Sequence, residues 1–205
     1  MTTPQPDTLY DFGGFARELY QLRYPAPGAP AAAEAAGRLL TDAGYSVRYD
    51  NERGLDHGVW VPLRYLYPKA IVPVFQVSMP HDLDTRAALR LGQVLAPLRD
   101  RGVLILGSGS LTHNLSEFRP HAAGEAPYAR AFADWVRDAV LRGDAESLAG
   151  YRSLAPQAPR AHPTEDHFLP LLVASGASRA AEPVAVIDGG ISYGMLSMDA
   201  FAWGI

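Results

Sequence analysis

The sequence predicts an α/β fold, a sandwich with a largely parallel central sheet flanked by helices. Three observations carry this expectation. Compact apolar runs rich in β-branched residues, Ile71-Val72-Pro73-Val74-Phe75-Gln76-Val77-Ser78 and Val103-Leu104-Ile105-Leu106, have the pattern of strands buried on both faces. Stretches with apolar residues near helical spacing alternate with them, which is the element order of a parallel sheet. The chain has 205 residues, 48% of them apolar, with 10 tyrosines and 7 phenylalanines. That is the length of one domain, expected over 1–205, with enough apolar surface to bury a core.

The elements follow in order. A short helix is expected over 16–22, between the turn-rich segments Tyr10-Asp11-Phe12-Gly13-Gly14-Phe15 and Tyr24-Pro25-Ala26-Pro27-Gly28. Residues 30–43 are Ala-rich, open with Pro30 and stop before Gly44, as suits a proline in the first turn and a glycine past the last. Residues 45–49 alternate like a short strand. A helix over 58–67 is stopped by Pro68, and the strand 71–78 follows. Residues 84–101 carry Leu89, Leu91, Leu95 and Leu98 near helical spacing, closed by Gly102. The strand 103–106 runs into the loop Gly107-Ser108-Gly109-Ser110. Helices are expected over 128–142, 145–153 and 165–175, and strands over 184–187 and 193–198.

Composition removes several function classes. The net charge is -4, with mixed signs and no basic tract, so nucleic acid is not an expected partner. There are no cysteines, which excludes disulfides, thiolate metal sites and a cysteine nucleophile and suits the cytoplasm. The first seven residues have neither the basic start nor the apolar stretch of a signal peptide. No apolar run reaches the ~20 residues of a membrane span, so no membrane partner is expected.

Without cysteine, the six histidines are the obvious metal ligands and proton carriers. His113 follows the loop leaving the strand 103–106, and open α/β sheets place their ligand crevice beyond such strand ends. His167 is expected one turn into a helix capped by Thr164, where the positive end of the dipole favours a neutral ring. His57 stands beside Asp56 in Gly54-Leu55-Asp56-His57-Gly58, an acid–histidine pair bounded by glycines just before a helix. The bland alternatives are strong. A lone histidine at a helix start is more often a hydrogen-bonded surface residue than a ligand, and Asp56 and His57 could simply cap a helix. His81 is expected in a loop, His121 in the same loop as His113, and His162 as a structural residue. The spacing of five from His162 to His167 does not stack two rings on one helical face. Spacing alone therefore defines no metal site.

Other templates fail. The loop at 107–110 lacks the G-x-S-x-G order of a nucleophile elbow, and neither G-x-x-x-x-G-K-[ST], a helix-opening G-x-G-x-x-G nor H-E-x-x-H occurs.

Several segments, in order, resemble the DOPA 4,5-extradiol dioxygenases of the LigB-like, class III extradiol family. They are Tyr10 to Phe15, Tyr24 to Gly28, Gly54-Leu55-Asp56-His57-Gly58-Val59-Trp60, and Tyr67-Pro68 with the run at 71–78. Next come Gly107-Ser108-Gly109 with His113-Asn114-Leu115. The last are Pro163-Thr164-Glu165-Asp166-His167-Phe168-Leu169-Pro170-Leu171-Leu172 and Gly194-Met195-Leu196-Ser197-Met198. The resemblance implies an α/β enzyme that opens a catechol-type, DOPA-like ring with O₂ and a non-haem divalent metal, Fe(II) or Zn(II). It implies His167 as a metal ligand, and His113 as a ligand or as the acid/base serving the substrate hydroxyl. It implies Asp56 and His57 as contacts to the catechol, with His57 the better proton carrier and Asp56 the residue that orients its ring. The family also carries an earlier His-Gly-Ser-Pro-like turn and a Ser-Ala-His-Trp-like turn, each after a strand and each supplying a metal histidine. Neither motif occurs here, so the expectation is a domain lacking its first strands and its N-terminal metal-binding part. Strand edges left open in that way invite a second copy or a sheet-completing partner. The rival expectation is a short, non-catalytic relative that keeps a pocket but not the metal.

Overall fold

Helices form almost everywhere that local spacing asks for them, because each satisfies its own backbone. A computed structural model describes residues 1–122 and 124–205. It divides into two compact units, Met1–His81 with Asp100–Val103, and Asp82–Arg99 with Leu104–Ile205.

In the first unit the short helix is a 3-10 turn, Arg17–Gln21. Helix α1, Pro30–Asp42, begins on its proline, and Gly44 follows with φ of 89°. Gly44 meets the left-handed backbone there without the cost a side chain would bring. Helix α2, His57–Leu66, ends two residues before Pro68. Tyr24, Ala26, Leu55, Trp60, Leu63 and Ala70 form a buried core, with Tyr10, Phe12, Leu22, Val59 and Val74 packed against it. The polar ends of its large rings are satisfied. Trp60 Nε1–H donates to the Leu9 carbonyl at 2.9 Å, and the Tyr24 hydroxyl donates to the Tyr67 carbonyl at 3.0 Å.

The second unit is helical, with a small β region. Helix α3, Thr85–Leu95, is capped by the Asp84 carboxylate accepting from the Ala87 N–H at 2.7 Å, and continues as 3-10 turns over Ala96–Arg101. Helices α4 (Pro127–Leu141), α5 (Ala145–Ala149), α6 (Tyr151–Leu154), α7 (Ala158–Ala161) and α8 (Leu169–Gly176) follow. Helix α3 packs on α8 through glycines. A Cβ on Gly92 would fall 2.0 Å from the Val173 carbonyl oxygen, and one on Gly176 would fall 2.1 Å from that of Leu89. Phe132, Val136, Leu148, Tyr151, Phe168 and Leu172 fill the core.

The sheet departs from expectation. Among the described residues the strands make two antiparallel pairs, β1 (Val184–Ile187) with β4 (Ala200–Trp203) and β2 (Ile191–Ser192) with β3 (Leu196–Ser197). The expected strands 45–49, 71–78 and 103–106 are not assigned as strands. Parallel pairing survives as two isolated bridges, Thr8 with Leu55 and Gly28 with Val74. A β-branched run becomes a strand only when another backbone runs along its edge, and 71–78 has one bridge, at Val74, and the Met1 amino group on the Gln76 carbonyl at 2.8 Å. The consequence is visible in exposure. Ile71 is 72% exposed and Leu104 62%, where buried strand residues were expected.

Candidate functional site

The site residues fall into two groups, one in each unit. In the first, His57 is the first residue of α2, and one carboxylate oxygen holds it twice. Asp11 Oδ1 accepts the His57 backbone N–H at 3.1 Å and lies 2.9 Å from the ring Nδ1. Asp11 thus caps α2 from 46 residues away, where the helix dipole favours a negative charge. Partial burial works to raise the Asp11 pKa, but the bonds from the His57 ring and backbone outweigh it and hold the carboxyl below its ordinary value. The Phe12 ring stands edge-on to the imidazole, centroids 5.8 Å apart, and itself packs on Phe15, Tyr20 and Trp60.

Asp56 does not orient the His57 ring. Its carboxylate is held by the Arg53 guanidinium at 3.1 Å and by the Gln76 side-chain amide, and it makes no side-chain cap bond to α2. The expected Asp56–His57 pair is therefore an Asp11–His57 pair. Sequence reasoning missed Asp11 because the acid lies far away in the chain. Its only signal was its place in the aromatic segment Tyr10 to Phe15.

In the second unit, His113 and His167 meet although 54 positions separate their numbers (167 less 113). Their rings stack, with centroids 3.5 Å apart and planes 11° from parallel. Backbone contacts set this up. The Ser110 N–H donates to the His167 carbonyl at 2.9 Å, and the His113 N–H donates to that of Ala161 at 2.8 Å. Gly109 permits the approach, since a Cβ there would fall 2.3 Å from the His167 carbonyl oxygen. The Thr112 hydroxyl donates to the Met195 carbonyl at 2.6 Å and accepts from the Ser197 N–H at 2.7 Å, pinning the segment to β3. Burial and then the positive charge of a protonated His167 push the His113 pKa down, so its ring is neutral near pH 7.

His167 is not inside a helix. Helix α8 starts at Leu169, with Pro170 in its first turn, and the Thr164 hydroxyl donates to Asp166 at 2.6 Å instead of capping. Asp166 Oδ2 lies 2.9 Å from His167 Nδ1, yet that buried nitrogen has no partner in hydrogen-bond geometry. Closeness without alignment is a weak contact. His162 is fully buried as a structural residue; its ring Nε2 bonds the Leu111 carbonyl at 2.8 Å and its Nδ1 is unpartnered. Burial drives its pKa down to about 4. His81 and His121 sit exposed in turns.

As they stand, the described residues do not fit a catalytic metal ion. An imidazole lone pair lies in the plane of its ring. Two nearly parallel rings whose centroids are 3.5 Å apart aim their lone pairs side by side, so an ion between the rings would lie out of both planes and off both lone pairs. Two nitrogens also fall short of the three protein ligands usual in catalytic sites. Among the described residues no group of three acidic or histidine side chains could hold an ion.

A cavity of about 350 Å³ in the same unit is lined by Glu117, Arg119, Glu125 and Arg160 among others. Two of its acids are already matched, Glu117 by Arg160 at 2.7 Å and Glu125 by Arg130 at 2.7 Å.

The family model described as the catalytic LigB subunit of aromatic ring-opening dioxygenase matches residues 2–197, so the chain belongs to the LigB family. It is 47% identical over 194 residues to a 4,5-DOPA dioxygenase extradiol of Beta vulgaris, covering 92% of this chain and 72% of that protein. A Portulaca grandiflora protein of the same name is 43% identical, with 84% and 64% covered. One from Escherichia coli K12 is 36% identical, with 94% and 72% covered. A crystal structure of an uncharacterized Escherichia coli K12 protein matches with a TM-score of 0.79 at 33% identity, over 97% of this chain and 80% of that one. No helix among the described residues is long and apolar enough to cross a membrane.

Proposed function

We propose that this chain works as an extradiol dioxygenase that opens a catechol-type, DOPA-like aromatic ring. The observation that carries the reading is the meeting of His113 and His167, the two histidines of the family motifs, at 3.5 Å in one unit. The names of the relatives, 4,5-DOPA dioxygenase extradiol, agree with it. The reading calls for O₂ and a non-haem divalent metal, Fe(II) or Zn(II), of which iron alone supplies redox chemistry. His113 and His167 are the nitrogens this chain would give it. Since these two do not complete a site, no step is assigned to the ion.

What the chain's own residues do is bind and move protons. His57 takes the proton of a catechol hydroxyl, and Asp56, held by Arg53 and Gln76, offers the substrate a fixed acceptor. His113, its pKa lowered by burial, would serve as a ligand or as a second acid/base. The reading keeps the α/β sandwich with a central parallel sheet as its scaffold. It also keeps a second copy or a sheet-completing partner as the cover for the apolar run at 71–78, and a cytoplasmic location.

The test is direct. The protein, supplied with excess Fe(II), DOPA and ¹⁸O₂, is expected to consume one O₂ per catechol and place both labelled atoms in a ring-opened product. No oxygen uptake above that of the metal alone, or release of label as peroxide, overturns the reading.

A further inference from the structure

We infer that Asp11 is the positioning residue for His57 in the proposed reaction, locking the imidazole as its Nδ1–H tautomer and leaving Nε2 to take the substrate proton. The inference rests on the ring-opening reading for the substrate, and on geometry alone for the pair. An ionised carboxylate has no proton to give, so the ring nitrogen 2.9 Å from Asp11 Oδ1 is the donor. A neutral imidazole protonated on Nδ1 has a free lone pair on Nε2. The same oxygen accepts the His57 backbone N–H at 3.1 Å, so backbone and ring are fixed against one atom. Phe12 stands edge-on to the ring and limits its rotation. The His57 side chain remains 52% exposed, which leaves room for a ligand. Asp56 does not do this work, because the carboxylate on the His57 ring is that of Asp11, while Asp56 Oδ2 is turned to Arg53 and Gln76.

The proton step balances simply. The O–H bond of a catechol hydroxyl breaks, its electrons stay on oxygen, and the proton forms an N–H bond at Nε2. The products are a catecholate and an imidazolium, whose charge the Asp11 carboxylate faces. Orientation by a carboxylate through the distal ring nitrogen is the general way a histidine base is held in one tautomer.

The experiment reads the tautomer without substrate. The full chain, labelled with ¹⁵N, is examined by long-range ¹H–¹⁵N correlation, with His57 assigned by its disappearance in His57→Gln. The wild type is expected to show a protonated Nδ1 and a bare Nε2. Asp11→Ala should move His57 to a mixture with protonated Nε2, while Asp11→Asn, which keeps an acceptor oxygen, should hold the wild-type pattern. In turnover, Asp11→Ala should lower kcat by roughly 10–10²-fold with KM nearly unchanged, less than the ~10²–10⁴-fold expected for losing the base itself. A bare Nδ1 in the wild type, or a tautomer indifferent to Asp11→Ala, overturns the pair. Should Asp11→Ala not fold, the wild-type and Asp11→Asn spectra still decide. A chain that shows the tautomer but opens no ring overturns the functional reading and leaves the pair standing. One that opens rings with an indifferent tautomer overturns the pair alone.

Discussion

The two histidine groups are held by different physics. His57 is half-exposed and is gripped through its ring by a carboxylate whose charge it can share. His113 and His167 are gripped through their backbones, by Ala161 and Ser110, and their rings lean on each other without an aligned side-chain partner. A ring fixed by a hydrogen bond has a defined tautomer and a defined free nitrogen. A ring fixed by stacking has no hydrogen bond to select its tautomer. The first arrangement defines one free ring nitrogen, and the second is a pair of stacked imidazoles without that definition.

The sharpest way to break this contrast is to remove a ring from each side. His113→Ala and His167→Ala should each abolish ring opening and whatever Zn(II) or Fe(II) the protein retains, measured by calorimetric titration and elemental analysis. That retention should itself be weak and lost on dialysis, because the stacked planes cannot both aim at one ion. A tightly held stoichiometric ion would mean the stack rearranges on binding. His57→Ala should leave metal binding as it was and lower turnover by ~10²–10⁴-fold. If His57→Ala empties the metal and His167→Ala does not, the two groups have exchanged roles.

Next in size is a pH effect confined to the stacked side. His162, fully buried beside Phe132, Tyr151 and Phe168, has its pKa driven down to about 4 by burial. In the unfolded chain the group titrates near 6.5, so between these values the unfolded state binds the extra proton. Stability from this residue is full above pH ~6.5 and lost as pH falls toward 4, by at most about 3 kcal/mol. Urea unfolding at a series of pH values should show the slope, and His162→Phe should flatten it. An unchanged slope in His162→Phe would assign the acid sensitivity to other groups.

Which parts of this were legible in the sequence follows from the range of the forces involved. Helices α1, α2 and α4 were legible to within a residue or two, since capping, proline and glycine signals act within a turn. The runs 71–78 and 103–106 have strand composition, yet a strand is a relation between two segments, and among the described residues the first forms a single bridge, at Val74. His113 and His167 were singled out by motif, but their stacking depends on a Gly109 contact that spacing cannot show. His162 was legible as structural. Asp11 was not legible as the partner of His57, because an acid adjacent in sequence, Asp56, offered a local explanation and the true contact is remote.

The smallest expected effect is also the cleanest control, since it sets those two acids against each other. Asp56→Ala removes one bond to Arg53 and one to Gln76, but no cap of α2, for its carboxylate caps nothing. The Arg53 side is exposed and worth little, while the Gln76 side is partly buried and sets the larger share. The stability loss should be about 1 kcal/mol, the net value of a typical hydrogen bond, read from urea midpoints. As a proposed contact to the catechol, Asp56 should show its loss as a rise in KM of roughly fivefold for ~1 kcal/mol of binding. The His57 ring should keep its Nδ1 proton throughout, because Asp11 still holds it. Were Asp56→Ala to change the His57 tautomer as Asp11→Ala does, the orienting charge would belong to both acids, and the sharp division between them would be lost.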